Sequence, residues 1–555
     1  MAGEKTELVK VRTRCVGPCY ALIGAESDDR RAIVPNGGDM RHKEHGCIAA
    51  GHPKTAEAGE AILRAGGNAF DAAIAALWMA CVAEPVLASL GGGGFCLVRD
   101  LSGRALLYDF FAQTPRRRRA GEELDFQPVH ADFGVTTQAF HIGLGSATTP
   151  GLVRGIFAIH RAHGSMPMTE LVAPAIAAAR EGLTITPFQA YLLGVIGPIY
   201  RHTPEARALF AVASEGGRLR HAGDIFHNPA LADALDALAR EGDDLFYEGS
   251  IAAAIERQSR DGGGHLSRDD LREYRALARA PLRFDYRGAH LLSNPPPASG
   301  GLLVAFGLAL LRDRQVGALP SSSPEHARLL AAVMTKTHDA RARHGVAEQL
   351  LEPALLRRYA AELGAPPSTR GTTHISVIDR DGDAAAITVS NGEGCGSIIP
   401  GTGSMLNNML GEEDINPGGA DGWPVDVRMA SMMAPTAFVA DDGRLAVLGS
   451  GGSKRIRTAI LQVLVNLLDH GMSLAEAVAA PRLHLEGEHL NWEAGLPQET
   501  VEALAEGFPA HTAWPTRNMY FGGVHAVIRE ANGDLHGVGD PRRAGVSLGG
   551  APPRS

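Results

Sequence analysis

The chain of 555 residues lacks the features that mark several large classes of protein. No apolar run approaches the ~18 residues of a membrane-spanning helix. The N-terminal stretch MAGEKTELVKVRTRC has no apolar segment followed by a small-residue cleavage site, so no secretory signal is expected. These two absences predict a cytoplasmic protein with no membrane partner.

The sequence also lacks an excess of positive charge and a framework of paired cysteines. A net charge of −9 argues against nucleic acid or an anionic membrane as the main partner. The six cysteines are scattered, without the density of a disulfide framework or the spacing of a metal site. The close pair Cys15 and Cys19 is interpreted as two free thiols, with a disulfide between them as the alternative. His-Glu-x-x-His is absent, so zinc-hydrolase chemistry has no support. No metal or other cofactor is expected.

Helical and strand patterns are both present and indicate an α+β protein. The chain is 45% apolar and carries 67 glycines, which is typical of a globular protein rich in tight turns. One stretch, Ala69–Val82, is apolar nearly all round and should be a buried helix. Strand patterns dominate after Thr372. The remaining helices are predicted at Thr55–Ala65, Gly151–His163, Met168–Glu181, Asn228–Arg240, from Leu302 onward, and at Arg457–Leu468.

A run of four glycines, Gly91–Gly94, leads into a predicted strand at Phe95–Val98. A phosphate-binding loop is one interpretation, but no Gly-Lys-Ser/Thr follows and no helix opens after the run. We expect instead a backbone that passes close to another element, where side chains would clash.

The stretch STRGTTHISVIDRDGDAAAITVSNGEG predicts a β-hairpin. Its alternating strands are Thr373–Ile378 and Ala384–Ser390, and Asp381-Gly382-Asp383 forms the turn. His374 should lie on the face opposite Thr373 and is interpreted as a packed strand residue. The unusual feature is a Gly371-Thr372 junction where a loop enters the first strand.

That junction suggests a chemical role for Thr372. A threonine hydroxyl is a poor nucleophile until a base takes its proton. Cleavage of the peptide bond before Thr372 would free an α-amine with a pKa near ~8, which can act as that base. Gly371 would leave the hydroxyl room to attack the preceding carbonyl, so the chain could cut itself. Taken alone, Thr372 and Thr373 could equally be strand formers with no chemical part.

Ten stretches, in order along the chain, carry a resemblance to a known family. They are GHPKTAEAGEAILRAGGNAFDAAIAA, EPVLASLGGGGFCLV, TTPGLVRGIFAIH, FYEGSIAAAI, LRFDYRGAHLLSNPPPASGG, GTTHISVIDRDGDA, IIPGTGSMLNN, APTAF, GSGGSKRIRTAILQ and HGVGDPRR. Together they resemble the γ-glutamyltranspeptidase family of N-terminal-nucleophile hydrolases.

The resemblance implies a four-layer αββα sandwich and an inactive precursor that cuts itself between Gly371 and Thr372. An irregular lead-in over residues 1–46 would precede a large subunit over 47–371, and residues 372–555 would form the small subunit. A dimer of such heterodimers is compatible with the resemblance.

The resemblance also assigns roles to single residues. Thr372 matches the family's nucleophile, and Ser390 falls where a threonine hydrogen-bonds that nucleophile. Gly451 and Gly452 match the stretch whose backbone N–H groups form the oxyanion hole, where such donors stabilise developing negative charge. Since the stretch is one residue shorter than in the family, Gly452 and Ser453 are the other pair.

Departures from the family pattern cluster in the substrate pocket. Phe111 replaces the arginine that grips the substrate α-carboxylate, and a ring cannot imitate a bidentate guanidinium. Glu412 stands where an aspartate binds the α-amine, and the paired serines become Ser431 and Met432. The stretch holding Glu393 is shorter than its counterpart, although Glu393 and Glu412 could still hold an amine. The basic run Arg116–Arg119 is interpreted as a solvated loop, with an anion site as the alternative.

Together these observations predict a self-processing threonine hydrolase or acyltransferase with an altered acyl pocket. Its substrate would be a small-molecule amide or amino-acid derivative, and its role intracellular or biosynthetic. One alternative is a C–C bond hydrolase of the same fold in the biosynthesis of alkylproline-containing antibiotics. The other, from a different class, is an unprocessed homologue that binds without catalysing.

Overall fold

Two β-sheets laid face to face form the centre of the protein. The computed structural model describes residues 45–119, 121–132, 137–361, 372–413 and 415–551. The expected lead-in therefore lies largely outside the described residues, except that Gly46 already belongs to the first strand. No helix in the described ranges is long and apolar enough to span a membrane.

The strands are short and mostly antiparallel. Their bounds are β1 Gly46–Ala50, β2 Gly93–Arg99, β3 Ala105–Phe110, β4 Gln127–Asp132, β5 Thr137–Ile142, β6 Leu183–Thr184, β7 Ala211–Val212, β8 Arg218–Leu219, β9 Ile225–Phe226, β10 Leu277–Arg279, β11 Leu282–Tyr286, β12 Ala289–Ser293, β13 Thr373–Asp379, β14 Ala384–Ser390, β15 Ile398–Ile399, β16 Ser404–Met405, β17 Thr436–Ala440, β18 Leu445–Gly451, β19 Leu483–Glu486, β20 His489–Trp492, β21 His511–Ala513, β22 Gly523–Arg529, β23 Leu535–Val538 and β24 Val546–Gly549.

The helices pack on the sheets and on one another. Their bounds are α1 Pro53–Arg64, α2 Ala69–Ala83, α3 Leu152–His163, α4 Met168–Glu181, α5 Pro187–Val195, α6 Gly197–Tyr200, α7 Pro204–Phe210, α8 Pro229–Glu241, α9 Asp244–Tyr247, α10 Ser250–Asp261, α11 Arg268–Arg272, α12 Gly300–Leu311, α13 Pro324–His344, α14 Pro353–Ala361, α15 Arg455–Leu468, α16 Leu474–Ala479 and α17 Gln498–Gly507.

The layers follow from the order of the strands. One sheet has seven strands in the order β10-β3-β2-β14-β13-β1-β24, and the other has six in the order β11-β12-β17-β18-β22-β23. Strands β13 and β14 pack against β18 and β22 across the interface. Helices α1 to α3 cover the outer face of the first sheet, and α12 and α15 cover that of the second. This is the expected four-layer αββα sandwich.

The predicted helices form with bounds that differ by a few residues. Helix α2 is buried along its whole length, as its all-round apolar pattern predicts, and Asn68 and Asp71 close its N-terminus in a capping box. Helix α1 begins with Pro53 at its first position and is capped by His52. Helix α4 has the predicted bounds, and α15 begins two residues earlier than predicted.

The hairpin and the glycine run also form as expected. Strands β13 and β14 pair in register, with Thr373 opposite Val389. In the glycine run, a Cβ on Gly94 would lie 2.3 Å from the Thr388 carbonyl oxygen, and one on Gly91 would lie 2.4 Å from that of Met405. The run is therefore glycine because neighbouring backbones leave no room for a side chain.

Candidate active site

Thr372 lies immediately before β13, at the end of the space between the two sheets, and is only 3% exposed. Side chains alternate along a strand, so Thr372 shares the inward side of His374, which packs beneath Gly449 of the facing sheet. Continuing the β13–β14 register by one residue places Ser390 opposite Thr372. The structure thus brings the proposed nucleophile and its proposed partner to one edge. Gly371 lies outside the described residues.

The end of β18 packs directly on Thr372. A Cβ built on Gly451 would come within 1.7 Å of the Thr372 carbonyl oxygen, so the backbone contact requires glycine there. Gly452 has φ +118° and Ser453 has φ +51°, both in the region that favours glycine. This turn then leads into α15, where Arg455 N–H donates to the Gly452 carbonyl oxygen at 3.0 Å. Which pair of N–H groups serves as oxyanion hole stays a prediction.

Arg543 contacts both Thr372 and the backbone at the end of β18. Its Nη1 donates to the Thr372 carbonyl oxygen at 3.0 Å, and its Nη2 lies 3.2 Å from the position of a Cβ on Gly452. The side chain is 3% exposed. Burial lowers the pKa of Arg543 to about 10, and the neighbouring charge of Arg455 adds to the effect. Even so, the guanidinium carries its charge at neutral pH.

A buried ionic network holds the turn that carries Arg543. Asp540 accepts from the Val524 N–H at 2.9 Å and pairs with Arg482 at 2.7 Å. Arg542 pairs with Asp540 and with Glu493, and all three side chains are fully buried. Buried charges that are paired in this way fix geometry, because separating one partner leaves an uncompensated charge.

Glu84 lies on the other side of β13, where α2 ends. Its carboxylate accepts from the Thr373 hydroxyl at 2.8 Å and from the Thr55 hydroxyl at 2.7 Å. Burial raises the pKa of Glu84, while the two hydroxyl donors and the charge of Arg543 oppose that rise. Thr373 is therefore tied to α2, which fixes the strand immediately after the proposed nucleophile.

His374 is a packed residue, as its position predicted. Its Nδ1 lies 2.7 Å from the Thr388 hydroxyl and its Nε2 lies 2.9 Å from the Ser376 hydroxyl. Complete burial holds the pKa of His374 well below its usual value, and nearby His525 contributes. The ring is therefore neutral and fully engaged within the sandwich.

The loop after β14 carries Glu393 and approaches Glu412. Ser390 Oγ accepts from the Gly392 N–H at 2.9 Å, and Asn408 Oδ1 accepts from the Glu393 N–H at 2.8 Å. A Cβ on Gly392 would lie 2.5 Å from Glu412 Oε1. Both glutamates are buried, so the structure brings two acidic side chains to the loop that follows Ser390.

Phe111 lies farther along the same edge, in an apolar setting. Its ring stacks on Phe95 with centroids 5.5 Å apart, and only 2% of the residue is exposed. Its carbonyl oxygen accepts from Arg428 Nη1 and from the Tyr274 hydroxyl, each at 2.7 Å. Arg428 also pairs with Asp109 at 3.2 Å. The guanidinium nearest to this backbone is thus occupied by protein partners.

The basic run near Phe111 lies at the surface, where Arg116, Arg117 and Arg118 are exposed. Arg116 pairs with Asp426 at 3.1 Å. Arg118 stacks on Trp423 and donates to its carbonyl oxygen, and Arg119 donates to carbonyl oxygens of the Ser259–Gly264 segment. The run therefore lies in an exposed loop, as expected, and three of its four guanidinium groups also bind neighbouring loops.

Ser431 and Met432 pack against the turn that starts α12. The Ser431 carbonyl oxygen accepts from the Ser299 N–H at 2.7 Å, and the Met432 sulfur accepts from the Ser299 hydroxyl at 3.3 Å. Both residues are buried. Their part in binding an acyl group stays a prediction.

Sequence reasoning missed Arg543 and Glu84. Each had a signal: Glu84 is an acidic residue at the C-cap of a largely apolar helix, where the helix dipole disfavours negative charge. Arg543 stands in the HGVGDPRR stretch, next to an arginine that serves the network around Asp540. Only the folded chain shows which of the two arginines reaches Thr372.

The sandwich, with its hairpin strand starting between the sheets, is the fold of the N-terminal-nucleophile hydrolases. A solved cephalosporin acylase from Bacillus halodurans shares it with a TM-score of 0.80 at 24% identity, covering 96% of this chain and 99% of that one. The γ-glutamyltranspeptidase family model matches residues 55–550, so the chain belongs to that family.

Two curated relatives span nearly the whole protein. The chain is 30% identical over 538 residues to a glutathione hydrolase proenzyme of Escherichia coli (strain K12), covering 90% of both chains. It is 31% identical over 532 residues to an acylase ACY 1 proenzyme of Pseudomonas sp. (strain V22), covering 91% of this chain and 93% of the relative. Hydrolase or acyltransferase activity follows from membership of this family.

Proposed function

We propose that the protein is a self-processing hydrolase or acyltransferase whose nucleophile is Thr372. Cleavage after Gly371 would make Thr372 the N-terminus of a small subunit. The observation that carries the proposal is the convergence of three elements on Thr372, namely the start of β13, the end of β18 and the turn holding Arg543. A threonine that served only as a strand former would not need a glycine contact and a buried arginine at its carbonyl.

In the mature protein, the chemistry would run through two groups of the same residue. The α-amine of Thr372 takes the proton of its own hydroxyl, and the oxygen attacks the substrate carbonyl. Backbone N–H groups of the Gly451–Ser453 turn stabilise the tetrahedral oxyanion, and the proton passes to the leaving amine. Water or an acceptor amine then releases the acyl group from the ester. Ser390 would orient the hydroxyl throughout.

The acyl group is proposed to differ from γ-glutamyl. The two curated relatives are named for different reactions yet have nearly equal identity to this chain, so overall similarity does not select between them. Phe111, packed on Phe95, supplies an apolar surface and no donor for a carboxylate. We therefore favour an apolar or aromatic acyl amide as donor. The C–C bond hydrolase stays an alternative prediction.

Self-cleavage tests the proposal directly. Wild-type protein should run as two fragments on a denaturing gel, and sequencing of the smaller one should begin at Thr372. Thr372→Ala should remain a single chain without turnover, because nucleophile and base depend on that residue. Thr372→Ser keeps a hydroxyl and should still mature. An uncleaved wild-type chain, or a start at another residue, would favour the non-catalytic binding homologue.

A further inference from the structure

We propose that Arg543 is a positioning residue that keeps the freed α-amine of Thr372 neutral, and so able to accept a proton. The inference rests on the proposed function, since only a cleaved chain has that amine. Arg543 would not touch the substrate. It would act through Thr372, by placing a fixed positive charge beside the base.

The geometry confines Arg543 to one side of Thr372. Its Nη1 donates to the carbonyl oxygen of Thr372, at 3.0 Å. Covalent geometry then places the nitrogen of the same residue within about 7 Å of the guanidinium. The backbone of Gly451 and Gly452 closes in from the facing sheet, which keeps the side chain from swinging away.

Carboxylates neutralise the charge of Arg542, whereas the charge of Arg543 is not neutralised in this way. Arg542 pairs with Glu493 and Asp540 in the network described above. Arg543, by contrast, donates to a neutral carbonyl oxygen, and its Nε has no hydrogen-bond partner among the described residues. Holding an arginine in such a place costs folding free energy. A role beside the reacting group accounts for that cost.

Other charges surround the same corner and set the absolute pKa of the amine. Four are carboxylates, one is a second arginine, and two are buried histidines: Glu84, Glu393, Glu412, Asp540, Arg455, His374 and His525. Burial lowers the pKa of His525 to about 4, so that ring is neutral like His374. The carboxylates favour a protonated amine, whereas Arg455 and Arg543 oppose it. Whatever the absolute value, removing the positive charge of Arg543 raises the pKa of the amine.

The expected effect is large enough to measure. A free α-amine has a pKa near ~8, so about a tenth of it is neutral at pH 7. A like charge some 6 Å away disfavours the protonated form, and at the effective dielectric of a protein the shift is about one pH unit after partial compensation by the carboxylates. About half of the amine would then be neutral at pH 7.

Cyanate labelling reads the amine without any substrate. The mature protein is exposed to cyanate at a series of pH values, and mass spectrometry follows carbamoylation of the Thr372 N-terminus. Because the neutral amine is the reactive form, the pH dependence of labelling tracks its pKa. Arg543→Gln should move that dependence upward by about one pH unit. Arg543→Lys keeps the charge and should move it by a few tenths at most.

A matched control removes an arginine elsewhere. Arg180 is half-exposed on α4 and pairs with Asp233, so Arg180→Gln should leave the labelling curve in place. If Arg543→Gln does not mature, Arg543→His replaces it, since histidine is largely neutral above pH ~7. An unchanged curve in the matured neutral variant overturns the inference while the proposed function stands. An uncleaved wild-type chain would overturn both.

Discussion

The surroundings of Thr372 and of Phe111, which form the two ends of one edge of the sandwich, are built differently. Around Thr372, backbone meets backbone at Gly451, and buried polar groups bond to the strand on both sides, Arg543 to one residue and Glu84 to the next. Around Phe111, two rings stack in an apolar cluster, and the nearest guanidinium is occupied by protein partners. The backbone of Thr372 is held by polar contacts, whereas the side chain of Phe111 is held by apolar packing.

This difference bears on how such a fold changes its substrate. Close backbone contacts and buried ionic networks tolerate almost no substitution, because each change leaves an overlap or an unpaired charge. Apolar packing accepts changes of shape at lower cost. We infer that the chemistry of the family is retained at the first end, while the acyl pocket at the second end has diverged. Each prediction below alters one end and leaves the other in place.

The largest effect is expected at Gly451. In Gly451→Ala the new methyl would lie 1.7 Å from the Thr372 carbonyl oxygen, so the strand end must move by more than ~1 Å. A misplacement of ~1 Å alone can cost ~10²-fold in rate, and this larger displacement should cost more. We expect cleavage to fall below detection on a denaturing gel and turnover to be lost with it. Gly507→Ala, where a Cβ meets nothing within 4 Å, should mature normally. Normal maturation of Gly451→Ala would show that the contact is not needed.

The fold was largely predictable, and the reason lies in local pattern. The β13–β14 hairpin follows from alternation and an Asp-Gly turn, and α2 follows from a run that is apolar nearly all round. Strand β1, Gly46–Ala50, was missed because a short strand buried on both faces shows no alternation. Arg543 was missed because its partner is 171 residues away in the chain. The HGVGDPRR stretch marks two adjacent arginines, but no local pattern shows which of them contacts Thr372, and none shows the shape of the acyl pocket.

The second prediction concerns the acyl pocket. A γ-glutamyl group would leave its α-carboxylate against Phe111 without a donor, which costs on the order of 2–5 kcal/mol. That is roughly a thirty- to several-thousand-fold loss in kcat/KM relative to a carboxylate-free acyl anilide. Phe111→Arg should recover γ-glutamyl anilide turnover by up to the same factor.

Phe111→Leu serves as the control for lost packing, since it removes the ring without adding a donor. It should not improve γ-glutamyl turnover. Efficient hydrolysis of the γ-glutamyl anilide by the wild-type protein would contradict the inference that the acyl pocket around Phe111 has changed its substrate.

The third prediction concerns Ser390, which lies opposite Thr372. If the Ser390 hydroxyl orients the nucleophile, Ser390→Ala should slow both self-cleavage and turnover by roughly 10²-fold. Ser390→Thr keeps the hydroxyl and should be tolerated. Both rates are followed on the same preparation, by the appearance of fragments and by release of anilide. Unchanged rates in the alanine variant would make Ser390 an ordinary strand residue.

The smallest effect concerns stability and its dependence on pH. Because burial raises the pKa of Glu84, the folded chain keeps this proton at pH values where the unfolded chain has released it. Stability therefore falls as pH rises from about 4.3, the usual pKa of a glutamic acid, through the higher folded value, and the loss remains above it. Glu84→Gln has no such proton but retains groups that can bond to Thr55 and Thr373.

Glu84→Gln should accordingly gain thermal stability relative to the wild-type side chain as pH rises from 4 to 8. The comparison is best made in the uncleaved Thr372→Ala chain, so that subunit separation does not enter. Glu57→Gln is the matched control, because Glu57 is half-exposed on α1 and its pair with Lys54 contributes little. A difference in melting temperature that stayed constant with pH, or that favoured the glutamate at neutral pH, would mean that Glu84 is ionised at no cost. The corner around Thr372 would then be better solvated than its burial indicates.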